Sequence, residues 1–383
     1  MIYILIFILF IFIALLTEEM DLKKNWKIFF LIIGEFIFLF ISSFRYKTGM
    51  DWYNYLFEYN NLKIVNKVYS SIGYIFIEKI GNFFKIEYFT FQAIISLFAG
   101  IVIIIFYQKN SKYFWSSVVI YYLSFYLTCN MAIQKQLLAI TFSILAFNSL
   151  EKSKIKYLIY SSIALLFHFS SIIFILGTIL IYFFRKIDYK ILINTSFIAF
   201  LILLKIDILK IIFDLIIYLK LPILSQRIAA YSSIEYYSRA VNPSLILTFY
   251  YLLEFSLAYF IFIKRKPENK KEEFIYLYTL FYFFIKILSL KMYVLYRLMY
   301  YFGIFYCAFL TNSFSIVKNK EIRIISKLLL YIFIGASFFS VMTTKIERRH
   351  KQYNPYYSIF KRVDTLERLK AELGDRFEEK EKK

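Results

Sequence analysis

The sequence predicts an all-α, polytopic membrane protein, and three observations carry that prediction. The 383 residues are 60% hydrophobic and 22% aromatic, well above the composition of a soluble domain. Long apolar segments follow one another through residues 1–342, and only helices can satisfy a chain's backbone polar groups segment by segment inside a bilayer. The loops between them are short and rich in Lys and Arg. With nine Gly and four Pro, the chain falls outside the disordered and collagen-like classes.

The apolar segments lie at about 2–16, 28–44, 88–107, 114–128, 131–150, 157–184, 191–204, 244–263, 274–290, 292–312 and 324–342. The first has the length of a signal-peptide core but neither a basic leader nor an A-x-A cleavage pattern, so we read it as a retained helix. Loops 17–27, 108–113, 151–156, 185–190, 264–273 and 313–323 together hold nineteen basic residues, whereas 129–136 holds only Lys135. Basic loops belong on the cytoplasmic side. Placing both 151–156 and 185–190 there requires 157–184 to enter the membrane and return. That run spans about 42 Å as a helix, too long for one ~30 Å crossing and short for two.

We therefore expect two short helices meeting at Phe167-His168-Phe169-Ser170-Ser171, with one tilted helix as the alternative. The total is then 11–12 spans, with both termini outside. Residues 1–342 form the transmembrane domain with outer segments 45–87 and 205–243, and 343–383 form a basic tail with twelve Lys and Arg. Within the outer segments, Lys205, Asp207, Lys210, Asp214, Tyr218 and Lys220 recur at helical spacing among apolar residues, and Ser70 to Lys85 reads similarly. Both predict amphipathic helices lying in the interface. A further amphipathic helix is expected from Asp364, which would cap it.

There is no P-loop, G-x-S-x-G, H-E-x-x-H or His/Cys cluster. Cys129 and Cys307 lack C-x-x-C spacing, and the only histidines are His168 and His350. We expect no cofactor, no metal and no nucleic-acid partner. Chemistry must come from charged residues at membrane depth or at its outer edge, where they are costly.

Arg45-Tyr46-Lys47-Thr48-Gly49-Met50-Asp51 follows the second segment, and a tight turn at Gly49 would fold Asp51 back beside Arg45. That would pair an anion-binding guanidinium with a carboxylate able to take a proton; the alternative is a helix-end cation with a salt-bridged Asp. In the outward turn Asn130 to Gln136, Lys135 and Gln136 would bind an anionic headgroup or cap a helix. Lys286, Lys291 and Arg297 flank a tight hairpin with no local acid, the outer two about 8 to 9 Å inside their helix ends. They suggest a three-cation funnel for an anion, with snorkelling of each cation as the alternative. Arg227 and Arg239 flank Tyr231, Tyr236 and Tyr237, a combination suited to phosphate and sugar. Glu35 and Glu254 near mid-depth read as structural hydrogen-bonders, with a proton site as the alternative.

At these residues the chain resembles the EpsG-type branch of the Wzy-like polysaccharide polymerases. The shared pieces are F-R-Y-K-T-G-M-D-W-Y-N-Y at 44–55, N-M-A-I-Q-K-Q-L-L-A-I at 130–140, L-L-F-H-F-S-S-I-I-F at 165–174, Y-R-L-M-Y-Y-F at 296–302 and Y-N-P-Y-Y-S-I-F at 353–360. Their order carries the resemblance. It implies a GT-C-like membrane glycosyltransferase that joins undecaprenyl-pyrophosphate-linked oligosaccharide repeat units at the outer face of a bacterial plasma membrane. Donor and acceptor glycolipids, the bilayer and a chain-length regulator would be its partners. It also implies site roles for Arg45, Gly49, Asp51, His168 and Arg297. Relatives carry Arg-Gln where this chain has Lys135-Gln136, which keeps the charge and loses the bidentate fork. Either Asp51 or His168 would be the base. A flippase for the same glycolipids, or a ligase for finished polymer, would use a similar set of cations.

Overall fold

A computed structural model describes residues 2–49, 51–62, 71–205, 245–291, 293–343 and 353–364. Among the described residues the regular secondary structure is helical, apart from an isolated bridge between Arg45 and Ser358. Four helices, Ile2–Glu19, Lys24–Ser43, Tyr88–Asn110 and Lys270–Leu290, are long and apolar enough to cross a membrane, and shorter apolar helices accompany them. The chain forms two compact units, residues 1–171 with 317–383, and residues 172–316.

The first unit contains α1 (Ile2–Glu19), α2 (Lys24–Ser43), the short α3 (Trp52–Asn60) and α4 (Ile72–Phe83), α5 (Tyr88–Asn110), α6 (Phe114–Cys129), α7 (Gln134–Ser149) and α8 (Lys154–Phe167). The last helix among the described residues, Lys320–Thr343, belongs to it as well. Helix α6 passes through a π turn at Tyr122–Tyr126, and phenols beside that turn tie neighbours together. Tyr122 donates to the Tyr3 carbonyl at 2.9 Å, and Tyr126 to the Phe38 carbonyl at 2.5 Å.

Polarity in this unit is inside out. Ile32, Phe36, Leu329 and Ile332 are more than 60% exposed, whereas Lys327 is fully buried. Such a surface suits lipid, not water. Lys327 Nζ lies 2.8 Å from Glu18 and 2.5 Å from Glu19, and Arg323 holds Glu19 at 2.7 Å. These pairs gather the loops 17–27, 108–113 and 313–323 at one end, and Glu18 also accepts from the Ser116 amide at 2.9 Å. The Arg45 motif, the start of α1 and the start of α7 lie at the other end.

The expected break in 157–184 is present. Helix α8 stops at Phe167, His168 is extended (φ −160°, ψ 121°), and residues Phe169–Ser171 form a 3-10 turn.

The second unit contains α9 (Ile172–Phe184), α10 (Tyr189–Lys205), α11 (Leu245–Lys264), α12 (Lys270–Lys291) and α13 (Tyr300–Asn312). Tyr278 of α12 stacks on Phe174 and Phe305 and shares a 2.6 Å hydrogen bond with Thr178. The basic loops of this unit meet where Arg185 pairs with Glu273 at 2.9 Å and Arg265 with Glu272 at 2.6 Å. The segment expected as one helix over 292–312 begins instead with a 3-10 turn, Tyr293–Arg297, and the helix proper starts at Tyr300. Arg297 therefore sits in a turn and not a turn and a half inside a helix.

Candidate active site

The site in the first unit starts from the end of α2. Arg45 is fully buried. Its Nη1 donates to the Ser42 carbonyl and, at 2.9 Å, to Ser96 Oγ of α5, while Nε has no partner. Phenols of Tyr88, Tyr126, Tyr356 and Tyr3 are the ionisable groups around it. Among the described residues Arg45 makes no ion pair, so the expected Arg45–Asp51 pairing is absent. The guanidinium instead reaches back to the carbonyl end of α2, where the helix dipole favours a cation. Its positive charge stays uncompensated in a poorly screened setting.

Hydrogen bonds extend from Arg45 into the second motif. Its carbonyl accepts from Gln92 at 3.0 Å, and Gln92 Oε1 accepts from Gln134 at 3.1 Å. Gln134 also donates to the Tyr88 hydroxyl at 3.2 Å and accepts from Tyr74 of α4 at 2.6 Å. Four segments distant in sequence thereby share one buried polar chain. Gly49 locks the contact. Its φ of +110° lies where side chains are strained, and a Cβ there would fall on the Met131 carbonyl.

Lys135 pairs with Glu58 of α3 at 2.5 Å, its ammonium 5.6 and 5.3 Å from the ring centroids of Tyr55 and Tyr74. The neighbouring Gln136 is buried. Asp51 opens α3 and is half-buried, with its charge close enough to be felt by the Tyr55 phenol. The N-terminal end of a helix favours the ionised carboxylate.

Helix α4 is amphipathic, with its apolar face outward: Ile72, Phe76 and Phe83 are exposed, while Tyr74 and Glu78 are buried. At 12 residues it is too short to cross a membrane. Gly73 packs against Leu166, two residues before His168, and so brings the His168 turn toward the Tyr74–Gln134 pair. His168 Nδ1 lies 2.6 Å from Ser170 Oγ and 3.3 Å from the Ser170 amide nitrogen. An amide N–H can only donate, so Nδ1 accepts and the neutral ring carries its proton on Nε2.

Glu78 is a residue that sequence reasoning treated only as part of an amphipathic face. It is 1% exposed and its Oε1 has no hydrogen-bond partner. Burial pushes its carboxyl up to about 8; the nearby Glu58 carboxylate adds to the push and Lys135 opposes it. The folded state holds this proton more tightly than the ordinary glutamate value of 4.5 allows. Its contribution to stability is full below about pH 4.5 and is lost as the pH rises through about 8. Thermal unfolding in detergent should show wild-type stability declining across that window, and Glu78→Gln should remove the decline. An unchanged slope in Glu78→Gln would place the titrating group elsewhere.

A C-terminal strap covers the motif. The Tyr46 amide donates to the Tyr357 carbonyl at 2.8 Å, and the Ile359 amide to the Phe44 carbonyl at 2.9 Å. Lys47 pairs with Asp364 at 2.8 Å, and Arg362 grips Glu87 through both nitrogens at 2.5 and 2.6 Å. The Asp364 carboxylate expected to cap a following helix thus holds Lys47, and it also accepts from the Tyr46 hydroxyl at 3.2 Å. The remainder of that expected helix lies outside the described residues.

In the second unit the expectation of three cations without an acid does not hold. Glu254 of α11 pairs with Lys286, whose ammonium also lies 4.6 Å from the Tyr251 ring centroid. Burying an ammonium at membrane depth requires such a partner. Glu35 likewise acts as a hydrogen-bonder, accepting from Gln108 at 2.7 Å. Arg297 is half-buried. Lys291 closes α12, while Arg227, Arg239 and the expected helix at 205–220 beyond Lys205 lie outside the described residues. Among the described residues no group of His, Cys, Asp and Glu could hold a metal ion.

The profile of the EpsG family matches residues 27–358, most of the chain. The protein belongs to the EpsG family. No curated protein and no solved structure matches it. Membership in this Wzy-like family, on a multi-helix membrane architecture, supports a general glycosyltransferase-like role in processing lipid-linked glycans.

Proposed function

We propose that this EpsG-family protein polymerises undecaprenyl-pyrophosphate-linked repeat units into a surface polysaccharide such as O-antigen, capsule or exopolysaccharide. It would use 11–12 membrane segments and an active site at the outer, periplasmic face of a bacterial plasma membrane. The observation that carries this reading is the uncompensated Arg45 charge beneath the hydrogen-bonded chain that joins the first two motifs. An acceptor sugar hydroxyl attacks the donor's anomeric carbon as the bond to pyrophosphate breaks. The electron pair leaves with undecaprenyl pyrophosphate, and the hydroxyl proton passes to a base.

Arg45 is enclosed, so it acts by its field on negative charge nearby, while Lys135 of the same unit is the cation suited to touch phosphate. Asp51 is the better base. His168, with its proton on Nε2, is a donor and not a base in that tautomer. Asp51→Asn should then abolish turnover with donor binding intact, and His168→Ala should slow it while weakening donor binding. The reverse pattern would exchange the two roles, and full activity in both would remove both.

Carrier lipids extracted from cells lacking the protein test the function. Single repeat units on carrier, digestible by an impermeant glycosidase, are expected. Units trapped inside would indicate a flippase, and long lipid-linked chains a ligase.

A further inference from the structure

A cavity of about 310 Å³ lies between the start of α10 and the end of α11, away from every residue given a catalytic role above. Its lining is divided in character. Lys190 and Lys266 stand at the helix ends with Tyr189, and the polar pair Asn194 and Tyr259 lies deepest along the two helices. Between those lysines and that polar pair the lining is apolar, from Ile193, Phe262 and Ile263.

The polar groups are donors. Tyr259 donates to Asn194 Oδ1 at 2.8 Å, which commits the amide oxygen and leaves the amide NH2 to donate. The buried Tyr189 hydroxyl has no partner among the described residues. Neither Lys190 nor Lys266 is in an ion pair among the described residues, although their loops contain acids. Those acids are engaged: Asp188 accepts from the Lys190 and Ile191 amides and caps α10, Glu273 holds Arg185, and Glu268 and Glu272 hold Arg265.

We propose that this cavity binds the headgroup of an anionic phospholipid, with Lys190 and Lys266 on the phosphate, Tyr189 and the Asn194 amide on its oxygens, and the acyl chains against the apolar wall. Depth supports the assignment. Lys190 is the second residue of α10 and Lys266 lies two residues beyond α11, so both stand where a bilayer places its phosphates, and Ile193, Phe262 and Ile263 follow about one turn deeper, ahead of the Asn194–Tyr259 pair. Free phosphate would satisfy the donors and leave the apolar wall unused. A zwitterionic headgroup would bring a cation to two lysines. The site lies among the basic loops 185–190 and 264–273, so the lipid would come from the cytoplasmic leaflet.

Full-length protein in a neutral detergent, titrated with phosphatidylglycerol and followed by native mass spectrometry, tests the proposal. One tightly retained lipid is expected. Lys190→Gln with Lys266→Gln should weaken retention roughly thirtyfold, about fivefold for each lysine at a membrane surface. Lys186→Gln with Lys270→Gln removes the same charge from the same loops without touching the cavity and should leave retention unchanged. Phosphatidylcholine should bind no better to the wild type than to the cavity variant. The proposal fails if both double variants lose lipid equally, if phosphatidylcholine is retained as well as phosphatidylglycerol, or if millimolar inorganic phosphate displaces the lipid. A melting temperature equal to wild type in phosphatidylcholine confirms that the cavity variant is folded.

Discussion

Arg45→Met should abolish polymer formation without destabilising the protein. The Arg45 guanidinium is fully buried and, among the described residues, bonded only to Ser42 and Ser96. A buried charge without a counter-ion costs stability, and an apolar residue of similar volume removes that cost. The melting temperature in detergent should therefore hold or rise. Activity should fall at least a hundredfold, because an oriented charge at a transition state is worth about 2.7–4 kcal/mol. Arg45→Lys keeps the charge and loses the fork, so it should retain intermediate activity. A melting temperature that falls in step with activity would mean that Arg45 only secures the end of α2.

Gly49→Ala should have the largest effect on folding. The substitution sets a side chain at φ +110° and drives its Cβ into the Met131 carbonyl. Backbone strain of about 1–3 kcal/mol adds to an overpacking cost of about 1–3 kcal/mol. The first motif must then lift away from the 130–136 turn, separating Arg45 from Gln92 and Gln134. Both melting temperature and polymer output should drop sharply. Gly335→Ala is the control, since its Cβ would meet side-chain atoms and no backbone, the Phe339 ring at 3.3 Å and Leu123 at 3.6 Å. Equal tolerance of the two substitutions would show that the Gly49 contact is not rigid.

The contrast between these glycines and charges shows what the sequence could disclose. Apolar runs located most of the helices, because membrane length and hydropathy are local properties. The basic loops on either side of 157–184, together with its length, exposed the break at His168. Pairings across long separations were invisible: Glu254 with Lys286, Arg323 with Glu19, and the strap of Tyr357 and Ile359 on Phe44 and Tyr46. Glu78 was overlooked for a different reason. Its helix faces lipid with Ile72, Phe76 and Phe83, so the polar face that would point to water in a soluble protein points inward here. The 353–360 motif was legible as a family feature, yet its place against Arg45 is a tertiary fact. Arg297 shows the limit of counting residues from a helix end, since the expected helix begins as a 3-10 turn.

Purified full-length protein in lipid nanodiscs, supplied with a synthetic undecaprenyl-pyrophosphate-linked repeat unit and no nucleotide, tests the central claim most directly. Products separated by size should form a ladder spaced by one repeat unit, with undecaprenyl pyrophosphate released once per bond, and Arg45→Met should give no ladder. Recovery of the input glycolipid unchanged by the wild-type protein, under conditions where it binds and the protein remains folded, would contradict polymerase activity.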